Sequence, residues 1–171
     1  MDRFVSSFTN KIDSKGRVSV PASFRATLAR DGFDGVYVYP ALGISALDAG
    51  GSRLVEEING LLDRMPRYSD EHDLLSTALY GDSEILKLDA EGRIVLSDRL
   101  KDWAQIDDRV AFVGLGHKFQ IWEPDRFVAR QEEARSKVRD LKRYMSGMSS
   151  GSPAGGAAEA GGRPPGDGVT E

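Results

Sequence analysis

Two arginines, each four residues after an aspartate and one after a glycine, are the side chains best placed to do chemistry: Asp13-Ser14-Lys15-Gly16-Arg17 and Asp89-Ala90-Glu91-Gly92-Arg93. Arginine's planar guanidinium can grip guanine O6 and N7 with two parallel hydrogen bonds, and a lysine ammonium offers a point charge suited to phosphate. If this stretch meets nucleic acid, Arg17, helped by Lys15 and Lys11, is the candidate for base readout, and Arg25 and Arg3 are the candidates for phosphate contact. The same spacing also has a structural reading. An aspartate that opens a turn accepts a hydrogen bond from the backbone two residues on, the glycine supplies positive φ, and the arginine pairs with the carboxylate across the tip.

The elements that must carry these residues are written twice. A constant offset of 76 residues places Lys11 over Lys87, Asp13 over Asp89, Gly16 over Gly92 and Arg17 over Arg93. Internal repetition on that scale signals a duplicated supersecondary unit. Each copy reads strand, turn, strand, short helix, so each turn is expected to be the tip of a β-hairpin. After the first tip, Pro21 starts a helix that runs through Phe24 and Leu28 and stops at Asp31-Gly32.

Strands follow at Val36–Pro40 and Leu42–Leu47, then a helix over Ser52–Met65 with Leu54, Val55, Ile58, Leu61, Leu62 and Met65 on one side. A linker helix spans Asp70–Leu79. The second unit predicts a hairpin over Ile85–Leu96, a helix to Trp103, strands at Arg109–Val113 and Lys118–Trp122, and a helix from Pro124 to about Tyr144. The expected organisation is a first half over 1–68, a linker helix over 69–82, a second half over 83–145 and a flexible Gly/Pro-rich tail over 146–171. Trp103 and Trp122 read as core residues, and Gly114-Leu115-Gly116 as a hairpin turn.

Composition removes several function classes. The chain of 171 residues has no cysteine and two histidines, His72 and His117, which excludes disulfides, thiolate zinc sites and a cysteine nucleophile, and no metal or cofactor is expected. No nucleophile, base and orienting group assemble into a constellation, so an enzyme is not expected. The absence of a long apolar run predicts a cytoplasmic protein with no membrane partner.

The net charge of −4 is unusual for a nucleic-acid binder, and the distribution is what matters. Thr9–Arg30 carries Lys11, Lys15, Arg17, Arg25 and Arg30 against Asp13 alone, whereas over Ile85–Trp103 four cations meet four anions. A basic tip on an acidic body suits insertion into a groove at chosen points.

The duplicated unit resembles the MraZ family of bacterial transcriptional regulators over about residues 1–144, and a single copy resembles the wider AbrB class of DNA-binding domains. The resemblance implies an α+β fold of tandem AbrB-like swapped-hairpin units, with a pseudo-twofold β-barrel-like core and peripheral helices. It implies a ring-shaped homo-oligomer associated with the nucleoid. Double-stranded promoter DNA is the implied partner, bound at short direct repeats, with repression of the protein's own division and cell-wall operon as the usual outcome. Carried over by position, the DxxxR motif is Asp13, Arg17, Asp89 and Arg93, with Lys15 at the first turn. The second copy departs from it, since Glu91 replaces the basic turn residue and Ser97 stands where the first copy has Pro21. That copy is expected mainly to complete the fold. The alternative reading is an antitoxin-like protein-interaction module with no DNA sequence preference.

Overall fold

The computed structural model describes residues 2–149. The described residues divide into two units, the first ending at Glu132 and the second starting at Glu133. The first unit holds eight strands, β1 (Ser7–Lys11), β2 (Arg17–Ser19), β3 (Val36–Pro40), β4 (Leu47–Gly50), β5 (Glu84–Leu86), β6 (Arg93–Val95), β7 (Arg109–Gly114) and β8 (Phe119–Trp122). Its helices are α1 (Ala22–Arg30), α2 (Ser52–Asp63), α3 (Asp70–Ser76), which passes into a π-helical turn at Thr77–Gly81, and α4 (Asp98–Ala104). A fifth helix, α5 (Pro124–Ser149), begins in this unit and continues into the second.

Six strands form an antiparallel sheet in the order β1-β7-β8-β4-β3-β5, and β2 and β6 form a separate two-stranded ribbon. The two halves exchange strands. β1 pairs with β7 in the register Ser7 to Val113 and Lys11 to Arg109, and β5 pairs with β3, Val36 opposite Leu86. The expected hairpins therefore do not close on themselves: β1 leaves toward one half's sheet, and β2 crosses to pair with β6. The barrel-like core is also corrected. The sheet is open, with β1 and β5 at its two edges, so the architecture is α+β on an antiparallel sheet.

Alternating side chains explain why strands such as Val36-Tyr37-Val38-Tyr39-Pro40 are buried throughout: the sheet is covered on both faces. Val36, Val38, Leu47, Ala49, Phe112, Phe119 and Ile121 face the main core, where α1 contributes Phe24 and Leu28, α4 contributes Leu100 and Ala104, and the ribbon contributes Val18 and Ile94. Tyr37 and Tyr39 face the other side, covered by Leu54, Ile58 and Leu62 of α2 and Leu79 of the π-helical turn. Trp122 lies on that side too, with its ring centroid 6.4 Å from that of Phe127.

The helix stop expected at Asp31-Gly32 is present, with Gly32 at φ 72° following the end of α1. Ser97, at the position of Pro21 in the first copy, caps α4 by accepting from the Leu100 N–H. Pro21 occupies the N-cap of α1, one place earlier than a first-turn proline. The strand expected at Leu42–Leu47 is instead β4 at Leu47–Gly50, since Gly43, at φ 76°, turns the chain within the 42–46 stretch. Leu61 is exposed because the buried stripe of α2 follows a strict four-residue step, and Trp103 is 49% exposed on α4, which corrects its expected place in the core. The expected tail lies outside the described residues except for 146–149, which close α5.

Candidate nucleic-acid interface

The ribbon is built by the two DxxxR turns. Asp13 Oδ1 accepts from the backbone N–H of Lys15 and of Arg17, each at 2.9 Å, and Asp13 Oδ2 accepts from Arg17 Nε at 2.6 Å. Asp89 repeats the pattern with the Glu91 and Arg93 N–H groups at 2.9 Å and Arg93 Nε at 2.8 Å. Both turn glycines are left-handed, Gly16 at φ 80° and Gly92 at φ 76°. Each turn is then tied to the opposite strand, the Val20 N–H donating to the Gly92 carbonyl and the Leu96 N–H to the Gly16 carbonyl. One aspartate thus satisfies two backbone donors and fixes the guanidinium's orientation through Nε.

Antiparallel pairing sets Arg17 opposite Val95 and Arg93 opposite Ser19, around a central Val18–Ile94 pair. Val18 and Ile94 are buried, so by strand alternation Arg17, Ser19, Arg93 and Val95 share the outward face. Arg17 and Arg93 are diagonal neighbours across the ribbon, about 7–8 Å apart in such a pair. This is where the structure brings the two copies of the motif together. The resulting surface is a two-stranded ribbon, a shape that the DNA major groove admits.

The copies differ in charge. Arg93 Nη2 meets Glu91 Oε2 at 3.1 Å, whereas Arg17 pairs with Asp13 through its Nε and has no acidic residue at the position matching Glu91, which is Lys15. Lys15 is exposed at the first turn and Lys11 is exposed at the end of β1. Arg25 donates through Nε to the Val20 carbonyl and lays its guanidinium over Gly92, so closely that a Cβ there would sit 2.5 Å from Nη1. It therefore braces the second turn as well as carrying charge. Arg3 lies beside Gly116, at the end of β1 far from Asp13 and away from the ribbon. Sequence reasoning missed Ser19 and Val95, whose place on the outward face depends on the cross-pairing of β2 with β6. It also missed the arginine-over-glycine contact, which joins residues from different copies.

The backbone N–H bonds from Arg17 and Arg93, aided by their guanidinium groups, hold the Asp13 and Asp89 carboxyls below the ordinary value. The bond to Asp89 raises the pKa of Arg93 in turn. A carboxyl depressed in the folded state contributes stability that is complete above its unfolded pKa, near 3.9, and lost as pH falls through the lower folded value. A variant carrying both Asp13→Asn and Asp89→Asn is expected to melt lower at neutral pH and to show a flatter acid limb below about pH 4. Thermal melts across that range check it, and an unchanged acid limb contradicts the latch. Among the described residues no cluster of metal-ligating side chains is present, and no helix is long and apolar enough to cross a membrane.

Residues 79–144 match the family model described as "MraZ protein, putative antitoxin-like". Proteins carrying the name transcriptional regulator MraZ are similar over most of their length. That of Beijerinckia indica subsp. indica is 60% identical over 146 residues, covering 85% of this chain and 89% of that protein. The Methylocella silvestris protein is 61% identical with the same coverage, and the Parvibaculum lavamentivorans protein 43% identical, covering 85% of this chain and 91% of its own.

Proposed function

The chain belongs to the MraZ family, and from that premise we propose that it regulates transcription by binding double-stranded promoter DNA through the outward face of the β2–β6 ribbon. The observation that carries this reading is the pairing of the two DxxxR turns into one ribbon with Arg17 and Arg93 diagonal to one another on its outward face. Arg17 enters the major groove and forks onto guanine, Lys15 and Lys11 neutralise phosphates on one flank, and Val95, 52% exposed, offers an apolar contact to a thymine methyl. Arg93 is the weaker reader because Glu91 already engages it and repels phosphate. The exchange of strands between halves supports the swapped-hairpin reading of the fold.

One ribbon supplies too little discrimination to find a promoter. Several ribbons on a homo-oligomeric ring, spaced to match short direct repeats, multiply it through effective concentration. Repression of the protein's own operon follows if such an assembly occupies the promoter.

Titration of labelled DNA from upstream of the protein's own coding sequence, at increasing salt, tests the proposal: affinity should fall log-linearly with salt through counterion release. Salt-independent binding, or none at low ionic strength, contradicts it. Glu91→Gln should tighten binding about two- to fivefold at low salt, the size of one solvent-screened charge contact. Arg93→Ala should weaken it less than Arg17→Ala. Both are read in the same titration, and a loss of affinity with Glu91→Gln would reverse the assignment of the two turns.

A further inference from the structure

The part of α5 that lies in the second unit carries an apolar seam that is exposed among the described residues. Ala134, Val138, Leu141, Met145 and Met148 recur at alternating steps of four and three, the spacing of a heptad core. Val138, Leu141, Met145 and Met148 are all more than half exposed, at 54%, 56%, 67% and 65%. Phe127, one heptad before Ala134, packs against Trp122 within the first unit.

The residues bordering the seam decide what can cover it. With Val138 and Met145 at position a and Ala134, Leu141 and Met148 at d, the e and g positions that flank the seam are Arg135, Lys137, Lys142, Tyr144 and Ser149, three of them cationic and none acidic. The acidic residues Glu132, Glu133 and Asp140 fall at b and c, on the far side. Lys137 reaches back to Glu133 Oε1 at 2.9 Å and stays beside the seam.

A second copy of this helix makes a poor partner in either direction. A parallel pair sets Lys137 against Lys142, and an antiparallel pair sets each flank against its own kind, so cations face one another and no carboxylate answers them. We propose that the seam docks a different protein, through an amphipathic helix with an apolar core stripe and acidic flanks. Such a helix buries the methionines and leucine and answers each flanking cation with a carboxylate.

The test uses the full chain and two labelled synthetic heptad peptides with leucine cores, one with glutamate at both flanks and the other with lysine. Fluorescence anisotropy should show the glutamate peptide binding at least about tenfold more tightly than the lysine peptide. Leu141→Asp should abolish that binding while leaving the melting temperature and the DNA titration unchanged. Equal binding of the two peptides overturns the proposal, as does glutamate-peptide binding that survives Leu141→Asp, which would reduce the contact to charge alone. Sedimentation in which self-association is lost on Leu141→Asp would assign the seam to a second copy. Loss of DNA affinity on Arg135→Glu together with Lys142→Glu, with peptide binding intact, would assign the basic border to nucleic acid. Either result overturns the proposal.

Discussion

Arg17→Ala is expected to reduce the preference for operator over scrambled DNA by about 5- to 150-fold per engaged ribbon, the worth of one bidentate guanine contact of roughly 1–3 kcal/mol. Where several ribbons bind at once the losses multiply, so discrimination should effectively vanish. The fold should survive. The Arg17 backbone N–H, which still reaches Asp13 Oδ1 in the alanine variant, closes the turn, and the inward neighbour Val18 is untouched. A competition titration with both DNAs, alongside a thermal melt, checks the two halves of this expectation. Retained discrimination removes Arg17 from readout, and a large drop in melting temperature makes it a structural residue.

The second large effect is expected at the opposite side of the ribbon. Phe24 is fully buried on α1 and meets rings from distant parts of the chain: Phe4 at 5.4 Å, Phe119 at 5.0 Å and Phe112 at 6.5 Å between centroids. Phe112 and Phe119 belong to strands of the second half, so this one side chain helps close the first half's helix over the second half's sheet. Truncation to alanine should cost about 3–5 kcal/mol through lost burial and a residual cavity. For a chain of this size the melting temperature should fall on the order of 10 °C. Phe8→Ala provides the contrast: Phe8 is 38% exposed at the edge of the same cluster, and its loss should shift the melt far less. Equal shifts for the two variants would contradict the placement of Phe24 at the centre of the shared core.

The motif was legible because its chemistry is local. An aspartate, a glycine and an arginine in five residues dictate their own turn, and the structure repeats the bonding pattern in both copies. The helix that carries Phe24 was legible from Pro21 at its start and Asp31-Gly32 at its end. What the sequence concealed was who pairs with whom. A run such as Arg17-Val18-Ser19 carries the alternation of a strand without its partner's identity, and the adjacent β1 was the natural but wrong choice. Trp103 looked like core from its apolar helical context, yet α4 buries Leu100 and Ala104 and leaves Trp103 49% exposed. The barrel likewise failed at a long-range property, closure, which depends on whether β1 and β5 meet. Arg3 and Arg25 were grouped with the tip by charge. The fold separates them, placing Arg3 by Gly116 and drawing Arg25 over Gly92.

Methylation interference on the chain's own upstream DNA addresses the central claim most directly. Methyl groups at guanine N7 occupy the major-groove acceptor that an arginine fork requires, whereas methyl groups at adenine N3 project into the minor groove. The account predicts that N7 methylation of particular guanines, recurring once in each direct repeat, blocks binding of the wild-type chain, and that the weaker residual binding of Arg17→Ala is insensitive to the same modification. Binding blocked by adenine N3 methylation and indifferent to guanine N7 would contradict it.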